Sequence, residues 1–245
     1  MMNIISRLSA RNKDAFANTP ILIACLGDSV THGCFGIRLK GPGQVDTVYD
    51  TDNGYATKLE KRLRALYPAA AVSVLNAGIS GDSAPNGLKR LERDVLCHKP
   101  DLVTVNFGLN DAGNPNVEEG IATYAASMGE IFDRILASGA ECILVTPNRM
   151  CAYADYALTD EVARSIAENC ARIQNEGILT RYVEAAKAEA AKRNIPVADA
   201  YARWQTLENS GVDTTQMLSN YINHPTREAH DIFVDKLMDL LFAEK

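Results

Sequence analysis

A serine hydroxyl becomes a nucleophile only when a neighbouring base takes its proton. Ser29 stands in Gly27-Asp28-Ser29-Val30-Thr31-His32-Gly33, immediately after the apolar run Ile21–Leu26. A tight turn between a buried strand and a short helix is the kind of elbow that exposes such a side chain. His224, in Asn223-His224-Pro225 ahead of a C-terminal helical pattern, carries a base of suitable ordinary pKa. Acyl transfer also needs donors where the oxyanion develops. The backbone N–H groups of Ser29 and Gly81 and the side-chain amide of Asn110 can supply three, each worth roughly 3–4 kcal/mol in a transition state. Gly81 lies in Asn76-Ala77-Gly78-Ile79-Ser80-Gly81-Asp82, where a glycine lets the backbone approach closely, and Asn110 lies in Gly108-Leu109-Asn110-Asp111.

These segments lie far apart in the chain, so the fold must bring them together. Five short apolar runs read as buried strands: Ile21–Leu26, Val72–Leu75, Leu102–Phe107, Cys142–Thr146 and Ile195–Ala198. Helical spacing of apolar residues fills the intervals at Gly54–Tyr67, Pro85–Cys97 and Val117–Ser138. It continues over Thr159–Arg193, with a break at Asn175-Glu176-Gly177, and a last helix begins near Pro225. Strand–helix alternation repeated in this way implies a three-layer α/β/α domain with a five-stranded parallel sheet. Ligands of such sheets sit outside the carboxyl ends of the strands, which is where the candidate residues fall. One domain over residues 1–245 accounts for the length. Residues 1–19 read as a lead-in, and 34–53 as a long irregular loop near the site, marked by Gly36, Gly41, Pro42 and Gly43.

Composition narrows the class. The chain has 245 residues, 47% of them apolar, which suits a globular core. Lys plus Arg is 25 against 31 for Asp plus Glu, a net charge of −6, and the basic residues are dispersed, so no nucleic-acid partner is expected. Lys58, Lys61, Arg62 and Arg64 read as the solvated side of a helix. No apolar run approaches the roughly 20 residues needed to span a bilayer, and the N-terminus lacks a signal peptide's pattern, so the expected setting is the cytoplasm with no membrane partner. The six cysteines form no CxxC pair and complete no zinc spacing with nearby histidines; Cys25 and Cys142 read as buried thiols. With no HExxH and no DxDxDG loop, neither metal nor cofactor is expected.

Taken together, the blocks resemble those of the SGNH (GDSL-type) hydrolases, esterases and acylhydrolases on a flavodoxin-like fold. GDSVTHG resembles the first block and nominates Ser29; NAGISGD resembles the second and nominates Gly81; GLND resembles the GxND of the third and nominates Asn110; NHP resembles the fifth and nominates His224. The blocks run in family order over residues 27–225, about four-fifths of the chain. A second GDS, Gly81-Asp82-Ser83, is a decoy: Ser83 lies beyond its strand, before Pro85, and reads as a helix-capping residue. The resemblance implies a serine esterase or acylhydrolase that passes through an acyl-serine, uses no cofactor, and acts on a small soluble ester such as an acetylated carbohydrate. An acyltransferase with the same residues, or a flavodoxin-like binding module cradling a phosphate at the first loop, are the alternatives.

One position departs from the family. Its usual DxxH has an aspartate three residues before the histidine, where it holds the imidazole tautomer. Here that position is Tyr221, in Ser219-Asn220-Tyr221-Ile222-Asn223-His224. Four readings stand: a backbone carbonyl at Tyr221 or a neighbour accepts from His224, the Asn220 side-chain oxygen accepts, Asp213 or another distant carboxylate folds back, or the protein is a weak or inactive member. Asp28 and Asp111 read as residues that order their loops, His32 as a loop residue near the substrate, His98 and His230 as surface or packing residues, and Asp199 as a neighbour of the site. The segment Pro147–Leu158, with Asn148, Arg149, Met150, Tyr153 and Tyr156, could shape a pocket.

Overall fold

The computed structural model describes residues 2–41 and 44–243. Its centre is a five-stranded sheet built from β1 (Ile21–Gly27), β4 (Val72–Gly78), β5 (Leu102–Asn106), β6 (Glu141–Val145) and β7 (Val197–Ala198), in the order β4-β1-β5-β6-β7. Every pairing is parallel. The strands are nearly continuous apolar runs because helices cover both faces. β1 is paired on both sides, by β4 and β5, and Ile21, Ile23, Ala24, Cys25 and Leu26 are all buried. Register decides the site: Gly27, the last residue of β1, pairs with Gly78 on one side and Asn106 on the other. Three strand ends therefore finish level at one edge.

Around the sheet lie α1 (Asn3–Lys13), the single turn α2 (Ser29–His32), α3 (Tyr55–Leu66), α4 (Ala84–Asp94), α5 (Val117–Ala137), α6 (Glu161–Asn175), α7 (Ile178–Lys192), α8 (Ala200–Asn209) and α9 (His230–Leu241). Local chemistry fixes their ends. Asn116 accepts the Glu119 N–H and donates to the Glu119 carboxylate, a reciprocal cap that starts α5. Asp160 accepts from the N–H groups of Val162 and Ala163 and starts α6. The break before α7 falls at Gly177, whose φ of +73° suits glycine.

Three expectations are corrected. Residues 34–53 are not an irregular loop. β2 (Cys34–Gly41) and β3 (Gln44–Tyr49) form an antiparallel ribbon, with pairing running from Cys34–Tyr49 to Arg38–Asp46; Pro42 and Gly43 lie outside the described residues. The run of β-formers Val45, Thr47, Val48 and Tyr49 is the strand signal in the sequence. The lead-in contains α1, whose Ile4, Ile5 and Leu8 are buried at helical spacing. The last helix begins at His230, five residues beyond Pro225. Residues 224–226 are occupied otherwise: the Ser219 N–H donates to the His224 carbonyl and the Thr226 N–H to the Met217 carbonyl, both at 2.8 Å, and this bridge holds the chain extended.

The sheet edge and the first loop touch at Gly78. A Cβ there would lie 2.2 Å from the His32 nitrogen and 2.7 Å from its Cα, backbone atoms that cannot swing away. Gly78→Ala is therefore expected to cost about 1–3 kcal/mol, read as a lower urea midpoint at unchanged slope.

Candidate active site

The nucleophile loop is a strand-to-helix elbow. β1 ends at Gly27, Asp28 caps α2 by accepting the Val30 N–H at 2.9 Å, and Ser29 opens the turn. Gly33, at φ +93°, closes it by donating to the Ser29 carbonyl at 3.1 Å. Thr31 Oγ1 bonds Tyr55 Oη at 2.8 Å and pins the turn to α3. Ser29 is 5% exposed, so its hydroxyl sits at the mouth of the core and not on an open surface.

His224 arrives from the other end of the chain. Its Nε2 lies 2.9 Å from Ser29 Oγ. The loop that presents it is held by amides. Asn220 Oδ1 accepts the N–H groups of Ile222, Asn223 and His224, each at 3.0 Å. Asn148 donates to the Asn223 carbonyl at 2.9 Å, and Cys151 N–H donates to the Ile222 carbonyl at 2.8 Å. Residues 148–151 thus brace the histidine loop. Arg149 turns away to Glu208, and Tyr156 is exposed.

The loops after β4 and β5 meet over the end of β1. Asn110 Nδ2 donates to the Asp82 carbonyl at 2.7 Å, and the Ala84 N–H donates to Asp111 Oδ1 at 3.0 Å. Ile79 N–H donates to the Gly27 carbonyl at 3.1 Å, tying the β4 loop to the elbow. Gly81 turns at φ +79° with open space where a side chain would project. Among the described residues the N–H groups of Ser29 and Gly81 have no backbone or side-chain acceptor. A residue that sequence reasoning missed locks this corner. Arg90, buried in α4, bonds Asp82 Oδ2 at 2.6 Å, the Ala77 carbonyl at 2.7 Å and the Gly27 carbonyl at 2.9 Å. In Leu88-Lys89-Arg90-Leu91-Glu92 it reads as one more solvated helix charge, and nothing local sets it apart.

Electrostatics follow from burial. His224 is pushed down to about 4 by desolvation alone. Asp28 is pushed up to about 7, mainly by burial and then by the nearby Asp111 and Asp82, and its Oδ2 has no partner among the described residues. Burial likewise raises Asp111 to about 6. The remaining candidates stand apart from the Ser29–His224 contact. His32 packs on Tyr49 with ring centroids 4.5 Å apart, and His98 is exposed. His230 is buried and accepts the Tyr55 N–H at 3.1 Å. Asp199 bonds Thr146, Lys187 and the Ala202 N–H, and Ser83 flanks the start of α4.

The partner of His224 Nδ1 differs from the readings made on the sequence. No hydrogen bond joins the Tyr221 carbonyl to the ring. Asp213 bonds the Tyr153 hydroxyl and the Thr215 N–H instead. Asn220 does reach the ring, but through its nitrogen: Nδ2 lies 3.2 Å from Nδ1, while the oxygen is turned to the backbone. The tyrosine at the usual aspartate position adopts φ +54°, and that bend brings residue 220 to the ring in its place.

The sequence matches the GDSL-like lipase/acylhydrolase family over residues 25–232, which takes in all four motif segments. The chain belongs to that family. It is 36% identical over 86 residues to an acetylxylan esterase of Geobacillus stearothermophilus, an alignment covering 35% of this chain and 37% of that one. It is 34% identical over 114 residues to an arylesterase of Vibrio mimicus, covering 42% and 54%. These alignments span roughly a third to a half of the curated relatives. The crystal structure of Axe2, an acetylxylan esterase from Geobacillus stearothermophilus, superposes with a TM-score of 0.67 at 21% identity, covering 91% of this chain and 95% of that one. The fold is therefore that of the SGNH hydrolases. No helix among the described residues is long and apolar enough to cross a membrane.

Asp28 gives a test of the site's electrostatics. A carboxyl held near 7 in the fold, against about 3.9 unfolded, stabilises the fold while protonated, and that stability is lost as pH rises from about 4 through 7. The buried histidines act oppositely in an overlapping window: lowered to about 4 and 3, they contribute stability above about 6.5 that is lost as pH falls. Asp28→Asn keeps the bond to Val30 and removes only the first effect. Its stability relative to wild type is expected to rise between pH 4.5 and pH 8, by on the order of 1–3 kcal/mol, in urea melts at the two values.

Proposed function

We propose that the protein is a single-domain serine esterase that cleaves a small soluble ester through an acyl-serine. The observation that carries this reading is the 2.9 Å contact between Ser29 Oγ and His224 Nε2, buried at the carboxyl edge of the sheet. Ser29 attacks the ester carbonyl as His224 takes its proton, and His224 then returns the proton to the leaving alcohol. Water, deprotonated by the same histidine, attacks the acyl-serine and releases the acid. The oxyanion is received by the Ser29 and Gly81 N–H groups and by the second proton of Asn110 Nδ2, whose first is held by Asp82.

Two features support a small polar substrate. Beside Asn110 lies a cleft of about 340 Å³ walled by Ser83, Pro85, Asn110, Asp111, Asn114 and Tyr124, a mix of polar and apolar groups whose size suits a sugar better than a long lipid chain. The acetylxylan esterase relative points the same way. Neither this cleft nor the larger groove of about 870 Å³ between α3, α8 and α9 is lined by Ser29 or His224; Asn110 is what links the cleft to the oxyanion position. Six unpaired thiols fit a reducing, cytoplasmic setting.

Wild type is expected to turn over p-nitrophenyl acetate and acetylated sugars and to release free acetate even when an alcohol acceptor is added. Ser29→Ala and His224→Ala are expected to fall to background. Asn110→Ala should lower kcat by about 10²–10³. A serine-directed phosphonate is expected to label Ser29 alone; absence of that adduct would sink the reading.

A further inference from the structure

Asn220 makes five hydrogen bonds, and together they leave its amide one orientation. Oδ1 accepts three backbone N–H groups at 3.0 Å. Nδ2 spends one proton on Asn223 Oδ1 at 3.1 Å and aims the other at His224 Nδ1, 3.2 Å away. Turning the amide over would set its N–H groups against three backbone donors and its oxygen against the Asn223 oxygen. A buried polar group so placed loses its own bonds and leaves its neighbours unpaired. The donor that faces Nδ1 is therefore fixed by the loop.

A donor at Nδ1 requires a lone pair there. A neutral imidazole carries one proton, so that proton sits on Nε2 and is donated to Ser29 Oγ across the 2.9 Å contact. This is the reverse of what a general base needs. We propose that Asn220 is a positioning residue that holds His224 in the Nε2–H tautomer, so that the resting Ser29–His224 pair points away from catalysis and turnover proceeds from a minority tautomer. The reaction remains balanced. The proton moves from Nε2 to Nδ1 through solvent, Nε2 then takes the Ser29 proton, and the transient imidazolium meets the amide donor with no acceptor at Nδ1. An aspartate at the same place would keep the backbone bonds through one oxygen and accept from Nδ1 with the other.

The surroundings do not supply a substitute. Ser29 approaches the ring from α2, Asn220 from its own loop, and His230 of α9, whose charge would repel that of His224, is itself kept neutral by burial and by Lys58, His224 and Arg227. Asp28, before α2, bonds Val30. Burial already disfavours the imidazolium, and the amide donor adds to that.

The test rests on the esterase reading and separates from it. In wild type with ¹⁵N-labelled histidine, His224 Nδ1 is expected to give a pyridine-like signal and Nε2 a protonated one. A protonated Nδ1 at neutral pH overturns the proposal, whatever the activity. Asn220→Asp is expected to raise kcat at least tenfold with KM within about threefold, since losing the aspartate of a triad costs roughly 10⁴. It should also move the acid limb of the kcat/KM profile upward by at least one pH unit, toward the ordinary histidine value. A folded Asn220→Asp that is no faster, or whose acid limb stays put, also overturns it. Failure of the esterase reading looks different: no phosphonate adduct at Ser29, with the wild-type tautomer still readable.

Discussion

The corner where β1 and β4 end is held by one buried guanidinium. At the last residues of a parallel pair the carbonyls lose their strand partners, because the chains turn off in different directions. Arg90 takes both, at Gly27 and Ala77, and neutralises itself on Asp82. A buried ion pair with every proton assigned is costly to break, on the order of 3–5 kcal/mol when one partner is removed. Its value here is geometric. The Asp82 that pairs with Arg90 also offers the carbonyl that orients Asn110, and the Gly27 carbonyl also receives the Ile79 N–H. Elbow, glycine turn and asparagine are three clients of one charge, so none can shift without the others.

The histidine is anchored by a different principle. Among the described residues, the hydrogen bonds that hold its loop come from Asn148, Asn220, Asn223 and backbone groups. Neutral amides are easier to bury than carboxylates, since an uncompensated buried charge is far costlier than a hydrogen-bonded amide. The consequence is electrostatic. A dry pocket strengthens the donors that meet an oxyanion, yet it also disfavours the imidazolium that must form beside it. Where a carboxylate sits behind the ring, its charge offsets that cost; here an amide dipole points the other way.

Much of this was legible in the chain. The five strands, the helix break at Gly177 and the gathering of Ser29, Gly81, Asn110 and His224 at one edge come from apolar runs and the residues that follow them, because parallel sheets place strand ends together. The ribbon of β2 and β3 was hidden by its glycines, which suggest a loop, although its second strand is rich in Val, Thr and Tyr. Arg90 was hidden because sequence does not say which face of an amphipathic helix a long charged residue will thread. The late start of α9 was hidden because Pro225 suits a first helical turn, and only the pairing of residues 217–219 with 224–226 shows that the chain is engaged elsewhere.

The misread position before the histidine has a backbone cause. Counting three residues back from His224 gives Tyr221, and a spacing rule assumes a fixed path between the two. Tyr221 instead enters the left-handed region, a conformation costing a non-glycine residue roughly 1–2 kcal/mol. With that turn, residue 220 is the one that reaches the ring. The strain persists because the same turn directs three N–H groups onto Asn220 Oδ1, bonds typically worth about 1 kcal/mol each. Loop stability and ring orientation are thus set by a single amide. The oxygen is committed to the turn, so only the nitrogen remains for the histidine, and the tautomer follows from the requirements of the loop.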